Sequence, residues 1–166
     1  MHKAPEEVRR FSRKEKEDTT MKLNIRRMRE EDLEPLHRLL SDPLVMKYLE
    51  PPFSEKKTAA FLKNCGMKEE PLVFTVDDEN GFAGYVICHP YDPDSMEIGW
   101  VLCPEHWGKG YASELTEQLI EKARIAKKAV VIECDPGQSV SRHIAEKYSF
   151  TCLGEKEGLI LFRLDP

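Results

Sequence analysis

Glu97-Ile98-Gly99-Trp100-Val101-Leu102-Cys103-Pro104-Glu105-His106-Trp107-Gly108-Lys109-Gly110-Tyr111-Ala112 is the stretch on which the fold turns. Met96 to Cys103 reads as a strand, with Glu97, Gly99, Val101 and Cys103 on one face and Met96, Ile98, Trp100 and Leu102 on the other. Two glycines follow, and then Ala112, Leu115, Leu119, Ala123 and Ala126 recur at helical spacing. Arg124, Lys127 and Lys128 crowd the last turn, where cations suit the helix dipole. Glycines between a strand and a helix let the backbone curl and approach a ligand closely. The first amides of the helix lack intrahelical partners, and with the dipole they make an anion site suited to a phosphate or diphosphate. Gly108-Lys109-Gly110 lacks the Lys-Ser/Thr ending of a P-loop, and Ser113 stands where a dinucleotide loop needs its third glycine. Taken alone, the glycine pair fits a plain turn equally well.

Outward from this stretch the elements alternate in type. Leu23 to Met28 predicts a first strand, and Glu30 to Leu40 a helix with Leu33, Leu36, His37 and Leu40 on one face. Pro43 opens a helix to about Leu49, and Ser54 caps another that runs to Asn64. Leu72 to Val76 and Phe82 to Cys88 predict a hairpin around Asn80-Gly81, with His89 to Asp94 read as a loop because of its prolines. Downstream, Ala129 to Cys134 is a β-branched strand, Ser139 to Tyr148 a helix and Leu159 to Leu164 a last strand. The order is that of an α/β (α+β) domain with one central sheet.

Composition narrows the function. The 166 residues suit one domain, expected over 22–166, preceded by a charged and flexible tail over 1–21. The first twenty residues carry six basic and five acidic groups within a chain of net charge −5, so the main domain is acidic. Such a domain is a poor partner for nucleic acid and favours a cationic one such as an amine. No apolar run reaches the ~20 residues of a membrane span. The charged start is unlike a signal peptide, so the expectation is a cytoplasmic protein with no membrane partner. Five cysteines with no C-x-x-C pair argue against a disulfide framework or a metal knot and read as small buried hydrophobes.

Two motifs carry a resemblance. Glu97-Ile98-Gly99-Trp100 followed by Trp107-Gly108-Lys109-Gly110-Tyr111-Ala112 is one. The other is Gln138-Ser139-Val140-Ser141-Arg142-His143-Ile144-Ala145-Glu146-Lys147-Tyr148-Ser149-Phe150. In these the chain, over about residues 22 to 165, resembles the GCN5-related N-acetyltransferase (GNAT) superfamily. Within it the resemblance is to the RimJ/RimL-like branch that acetylates ribosomal-protein N-termini. Trp107 stands where the superfamily's phosphate loop more often has Gln or Arg, Gln138 replaces the usual Asn, and Ser149 the usual Gly.

The resemblance implies a mixed, mostly antiparallel sheet of six to seven strands flanked by helices and splayed between strands four and five. Acetyl-coenzyme A would lie in the splay as co-substrate, with no metal. Backbone groups of Val101, Leu102 and Cys103 would pair with the pantetheine arm. The diphosphate would rest on the loop from Trp107 through Gly108, Lys109, Gly110, Tyr111 and Ala112 to Ser113, and Gln138 and Ser141 would face the arm. The acceptor would be a primary amine, from a peptide N-terminus or a small molecule, in a pocket built by about Met46 to Asn64 and Thr151 to Gly158. Tyr48, Glu50, Phe53, Glu55 and Phe61 are its candidate walls. A homodimer is common in the family.

Direct attack needs a neutral amine, hence a base. Glu97 is the first candidate: a carboxylate in an apolar strand is expected to have a raised pKa, and a fourth-strand glutamate is the base in histone-acetylating relatives. Glu105 and His106 are weaker candidates for the base, since their exposed-looking loop reads as ordinary surface. Many relatives protonate the leaving thiolate with a tyrosine where this chain has Ala145. Ser141 or water takes that role, or the thiolate leaves unaided. Two other readings stay open: a coenzyme A-binding module without catalysis, and a nucleotide-binding α/β protein using the same loop.

Overall fold

A computed structural model describes residues 23–166; the expected tail over 1–21 lies outside them. Seven strands form one sheet: β1 Asn24–Arg26, β2 Val73–Asp78, β3 Gly81–Asp92, β4 Ser95–Leu102, β5 Ala129–Cys134, β6 Thr151–Lys156 and β7 Leu159–Leu164, in the order β1-β2-β3-β4-β5-β7-β6. Every neighbouring pair is antiparallel except β4 with β5. The helices are α1 Leu33–Leu40, α2 Pro43–Met46, α3 Glu55–Phe61, α4 Tyr111–Ile125 and α5 Ser139–Lys147.

The strand alternation of the sequence becomes two cores. Ile98 and Leu102 of β4 pack with Val86 of β3 and with Leu115, Leu119 and Ala123 of α4. On the opposite face Val101 and Tyr85 join Leu36, Leu39 and Leu40 of α1, Met46 of α2 and Phe53. Asp42 and Ser54 accept from the amides of Leu44 and Lys57, which starts α2 and α3 where the sequence places them.

Three elements differ from expectation. The segment read as a loop after Cys88 continues β3 to Asp92, with His89 opposite Glu97 and Pro90 opposite Met96. Proline is tolerated there because its nitrogen, like the Cys88 amide two residues earlier, faces the β2 side; β2 begins only at Val73, opposite Ile87, so among the described residues no strand on that side needs the missing N–H. β6 is an additional edge strand whose residues are all exposed, so no apolar alternation marked it. The second helix stops at Met46 rather than running on to Leu49.

The decisive feature is the junction of β4 and β5. They pair only through Ser95↔Ala129, Met96↔Val130 and Glu97↔Val131, although β4 continues to Leu102 and β5 to Cys134. Beyond Glu97 the sheet is open.

Candidate active site

The open wedge leads into a cavity of about 620 Å³. Trp100, Val101 and Leu102 form its strand wall, and Trp107, Gly108, Gly110, Tyr111, Ala112 and Ser113 its loop-and-helix wall. Gln138 and Ser141 close it from the start of α5. Of the residues singled out in the sequence, Cys103, Lys109 and Glu97 are not among those lining it.

Backbone direction explains what the strand offers. The Cys103 amide donates to Ala83 O, so the amide and carbonyl of Leu102, one residue earlier, face the gap instead of β3. Trp100 shares that direction by strand alternation. The indole N–H of Trp107 occupies the Leu102 carbonyl at 2.9 Å, tying the glycine loop to the end of β4. Gly108 and Gly110 have φ of +74° and +83°, a region that L side chains avoid. A Cβ built on either would meet nothing within 4 Å, so the constraint is the backbone bend and the space above the loop is open. Gly110 is the N-cap of α4 and no side chain caps it. The first helix bond is the Glu114 amide to Gly110 O, which leaves the preceding amides of the turn available to an anion. A diphosphate fits this donor set.

Tyr111 steadies the turn from behind. Its hydroxyl donates to Asp78 Oδ2 at 2.9 Å, and its ring stacks on His106 with centroids 4.9 Å apart. Burial and that carboxylate push the Tyr111 phenol up to about 12. His106 is a correction to the sequence reading: it lines the cavity, 13% exposed, and its Nδ1 is buried without a partner among the described residues. Glu105 is exposed as expected.

The acceptor side is partly as read. Tyr48 lines the cavity, with Leu44, Val45 and Leu49 beside it, and its ring closes against Gly137, where a Cβ would lie 2.7 Å from Cε1. Phe53 and Phe61, by contrast, belong to the second core, their rings 5.9 Å apart, with Phe61 also against Tyr85. Glu50 reaches out to Lys57 at 3.3 Å, and Glu55 is exposed. Sequence reasoning missed Trp100, Gly137 and Val140 in the cavity wall because nothing local marks a residue for a gap formed by distant strands.

Glu97 is the last β4 residue paired to β5, at the apex of the wedge, on the face shared with Val101. Its Oε2 lies 2.7 Å from His89 Nε2. The other chemical groups are accounted for elsewhere. Ala145 is fully buried in the first core. The Tyr148 hydroxyl donates to Glu117 Oε1 at 2.7 Å, with Ser113 O 3.1 Å away, and burial with the Glu117 contact pushes it up to about 12. Cys134 is buried and does not line the cavity, and burial pushes its thiol up.

Comparison with known proteins agrees with this geometry. Residues 22–151 match the family described as the acetyltransferase (GNAT) domain. The chain is 31% identical over 134 residues to the uncharacterized N-acetyltransferase YnaD of Bacillus subtilis (strain 168), which spans 78% of this chain and 79% of that protein. A GNAT-family acetyltransferase from Bacillus anthracis superposes with a TM-score of 0.75 at 28% identity, over 87% of this chain and 95% of its own. The spermidine N-acetyltransferase of Vibrio cholerae, solved with CoA and spermine, shares the fold with a TM-score of 0.70 at 22% identity, over 86% of this chain and 93% of its own. A seven-stranded sheet wedged open at β4 and β5, ending on an uncapped helix behind a glycine loop, is thus the framework of an acyltransferase, and the chain belongs to the GNAT N-acetyltransferase family.

Proposed function

We propose that the wedge binds acetyl-coenzyme A and that the enzyme transfers its acetyl group directly to a primary amine in a ternary complex. The observation that carries this reading is the three-pair junction of β4 with β5, which opens into a cavity ending on the free amides of α4. The diphosphate rests on the turn from Trp107 to Ser113, with Lys109 at its rim. The pantetheine arm runs along Leu102 and Trp100, which present the backbone groups that β5 leaves unpaired, and Gln138 and Ser141 contact it from α5. A bound CoA in the Vibrio cholerae relative supports the cofactor, and its bound spermine supports an amine acceptor.

The acceptor nitrogen attacks the thioester carbonyl carbon, an oxyanion forms, the C–S bond breaks and the thiolate leaves. Glu97, at the apex of the wedge and outside the cavity lining, takes through water the proton that the ammonium form must lose. Ser141 or a water returns a proton to the thiolate, since Tyr148 is held by α4 and Ala145 has no hydroxyl. Transfer through an acyl-cysteine is disfavoured by the burial of Cys134. The apolar mouth formed by Leu44, Tyr48 and Leu49 suits the alkyl part of an amine or a peptide N-terminus.

Thiol release with acetyl-CoA and a panel of diamines, polyamines and short peptides tests the reading. Amine-dependent release is expected, with intersecting initial-rate lines and a loss of about a hundredfold in Glu97→Gln. The buried Ala145 in place of a proton donor favours a second reading, a coenzyme A-binding module. Thermal stabilisation by coenzyme A without turnover on any amine would establish that one instead.

A further inference from the structure

We propose that Glu97 does not act alone: His89 is its positioning residue, and the two form a dyad that receives the acceptor's proton as a unit and passes it to solvent along β3. This rests on the reading of Glu97 as the base.

The argument begins with register. His89 and Glu97 are directly opposed on antiparallel β3 and β4, so both side chains stand on the same face of the sheet. The imidazole makes two contacts: Nδ1 lies 3.0 Å from Pro90 O, and Nε2 lies 2.7 Å from Glu97 Oε2. A carbonyl oxygen only accepts, so Nδ1 carries a hydrogen. A neutral ring of that tautomer would turn its Nε2 lone pair onto a carboxylate oxygen, two acceptors in contact. The geometry therefore requires a second proton between Nε2 and Oε2. The hydrogen bond to Glu97 accordingly holds His89 above its usual value, against the opposing effect of burial.

The dyad's surroundings fit a relay. Glu97 sits at the apex where β5 pairing ends, 19% exposed, while the His89 side chain is 25% exposed and reaches water. Tyr91 joins from β3, Glu133 from β5 and Lys156 from β6. Arg163 of β7, opposite Val131, is engaged by Asp165 at 3.0 Å and lies 4.0 Å from Asp92. Burial and the nearby Glu97 both raise Glu133, a second carboxylate close to the dyad. In the productive form the shared proton is absent. The amine N–H bond breaks, the proton passes to Glu97 and comes to rest between Oε2 and Nε2, and water then removes it from the exposed ring. A pair that titrates above a lone carboxylate is better matched to an amine near neutral pH.

The sign of the pH dependence follows. Turnover rises as pH rises through the dyad's titration, above the ~6.5 of a free imidazole. His89→Gln keeps a donor to Glu97 but cannot titrate. It is expected to lower kcat about tenfold at pH 8, to leave the KM for acetyl-CoA unchanged, and to remove that rise from the kcat profile measured with the same saturating amine. Stabilisation by coenzyme A equal to wild type checks that the variant is folded. NMR titration of the His89 ring is expected to move to lower pH in Glu97→Gln. Loss of turnover in Glu97→Gln with kcat and pH profile retained in His89→Gln overturns the relay alone. Full turnover in Glu97→Gln overturns the base and the relay together.

Discussion

At the residue scale, the phosphate turn shows how much of a site is written in its own letters. Gly108 and Gly110 were legible because a positive φ is what glycines between a strand and a helix are for, and both adopt it. Trp107 was not. The resemblance puts it in the loop, but only the folded chain shows its indole N–H on the Leu102 carbonyl, five residues away in sequence. That bond fixes the turn against β4 and removes one acceptor from the strand edge. Trp107→Phe keeps the bulk and deletes the donor. A net hydrogen bond of ~1 kcal/mol corresponds to about fivefold, so coenzyme A is expected to bind about fivefold more weakly by calorimetry, with the melting temperature little changed. His106 illustrates the opposite failure. Its neighbours Glu105 and Lys109 are exposed, so the loop read as surface, and only the stack on Tyr111 reveals its place in the cavity wall.

At the element scale, β1 and the turn before α1 depend on one buried carboxylate. Asp32 accepts from Arg26 at 2.8 and 2.9 Å, from the Arg29 amide at 2.8 Å and from the Thr75 hydroxyl at 3.0 Å, and is 4% exposed. It thereby joins the start of α1 to β1 and β2. The sequence reading ran one helix from Glu30 to Leu40, whereas α1 begins at Leu33 with Asp32 just before it, and it gave no sign of this role, because Thr75 lies 43 residues away. Burial raises the Asp32 pKa, but its hydrogen bonds, led by Arg26, outweigh that and leave it lowered. A carboxylate lowered in the folded state stabilises the protein above its unfolded value, ~3.9, and that contribution is lost as pH falls through the folded value. Asp32→Asn is expected to cost about 3 kcal/mol at pH 7 in urea unfolding. Its difference from wild type should shrink as the pH is taken below 4. The same scale explains the missed β6. An edge strand exposed on both faces carries no period-2 signal, whereas β5, buried on both sides, announced itself by its β-branched run.

At the scale of the whole molecule, the sheet is two blocks joined by a short seam. β1 to β4 form one block and β5, β7 and β6 the other, and the seam is three residue pairs long. Helix α4 packs on both β4 and β5, so the blocks share a core on one face while their edges part on the other side of Glu97. A ligand that runs along Leu102 and Trp100 and ends on the α4 turn would complete hydrogen bonds that the seam leaves open. It would thus stabilise the junction far more than either block's interior. Amide hydrogen exchange followed by mass spectrometry tests this. With saturating coenzyme A, peptides covering 98–103 and 107–114 are expected to exchange at least several-fold more slowly. Peptides covering β1, the outer edge strand of the first block, are expected to be unchanged. Uniform slowing across both blocks would mean that binding tightens the fold globally, and protection absent from 98–103 would mean that the wedge is not where the cofactor lies.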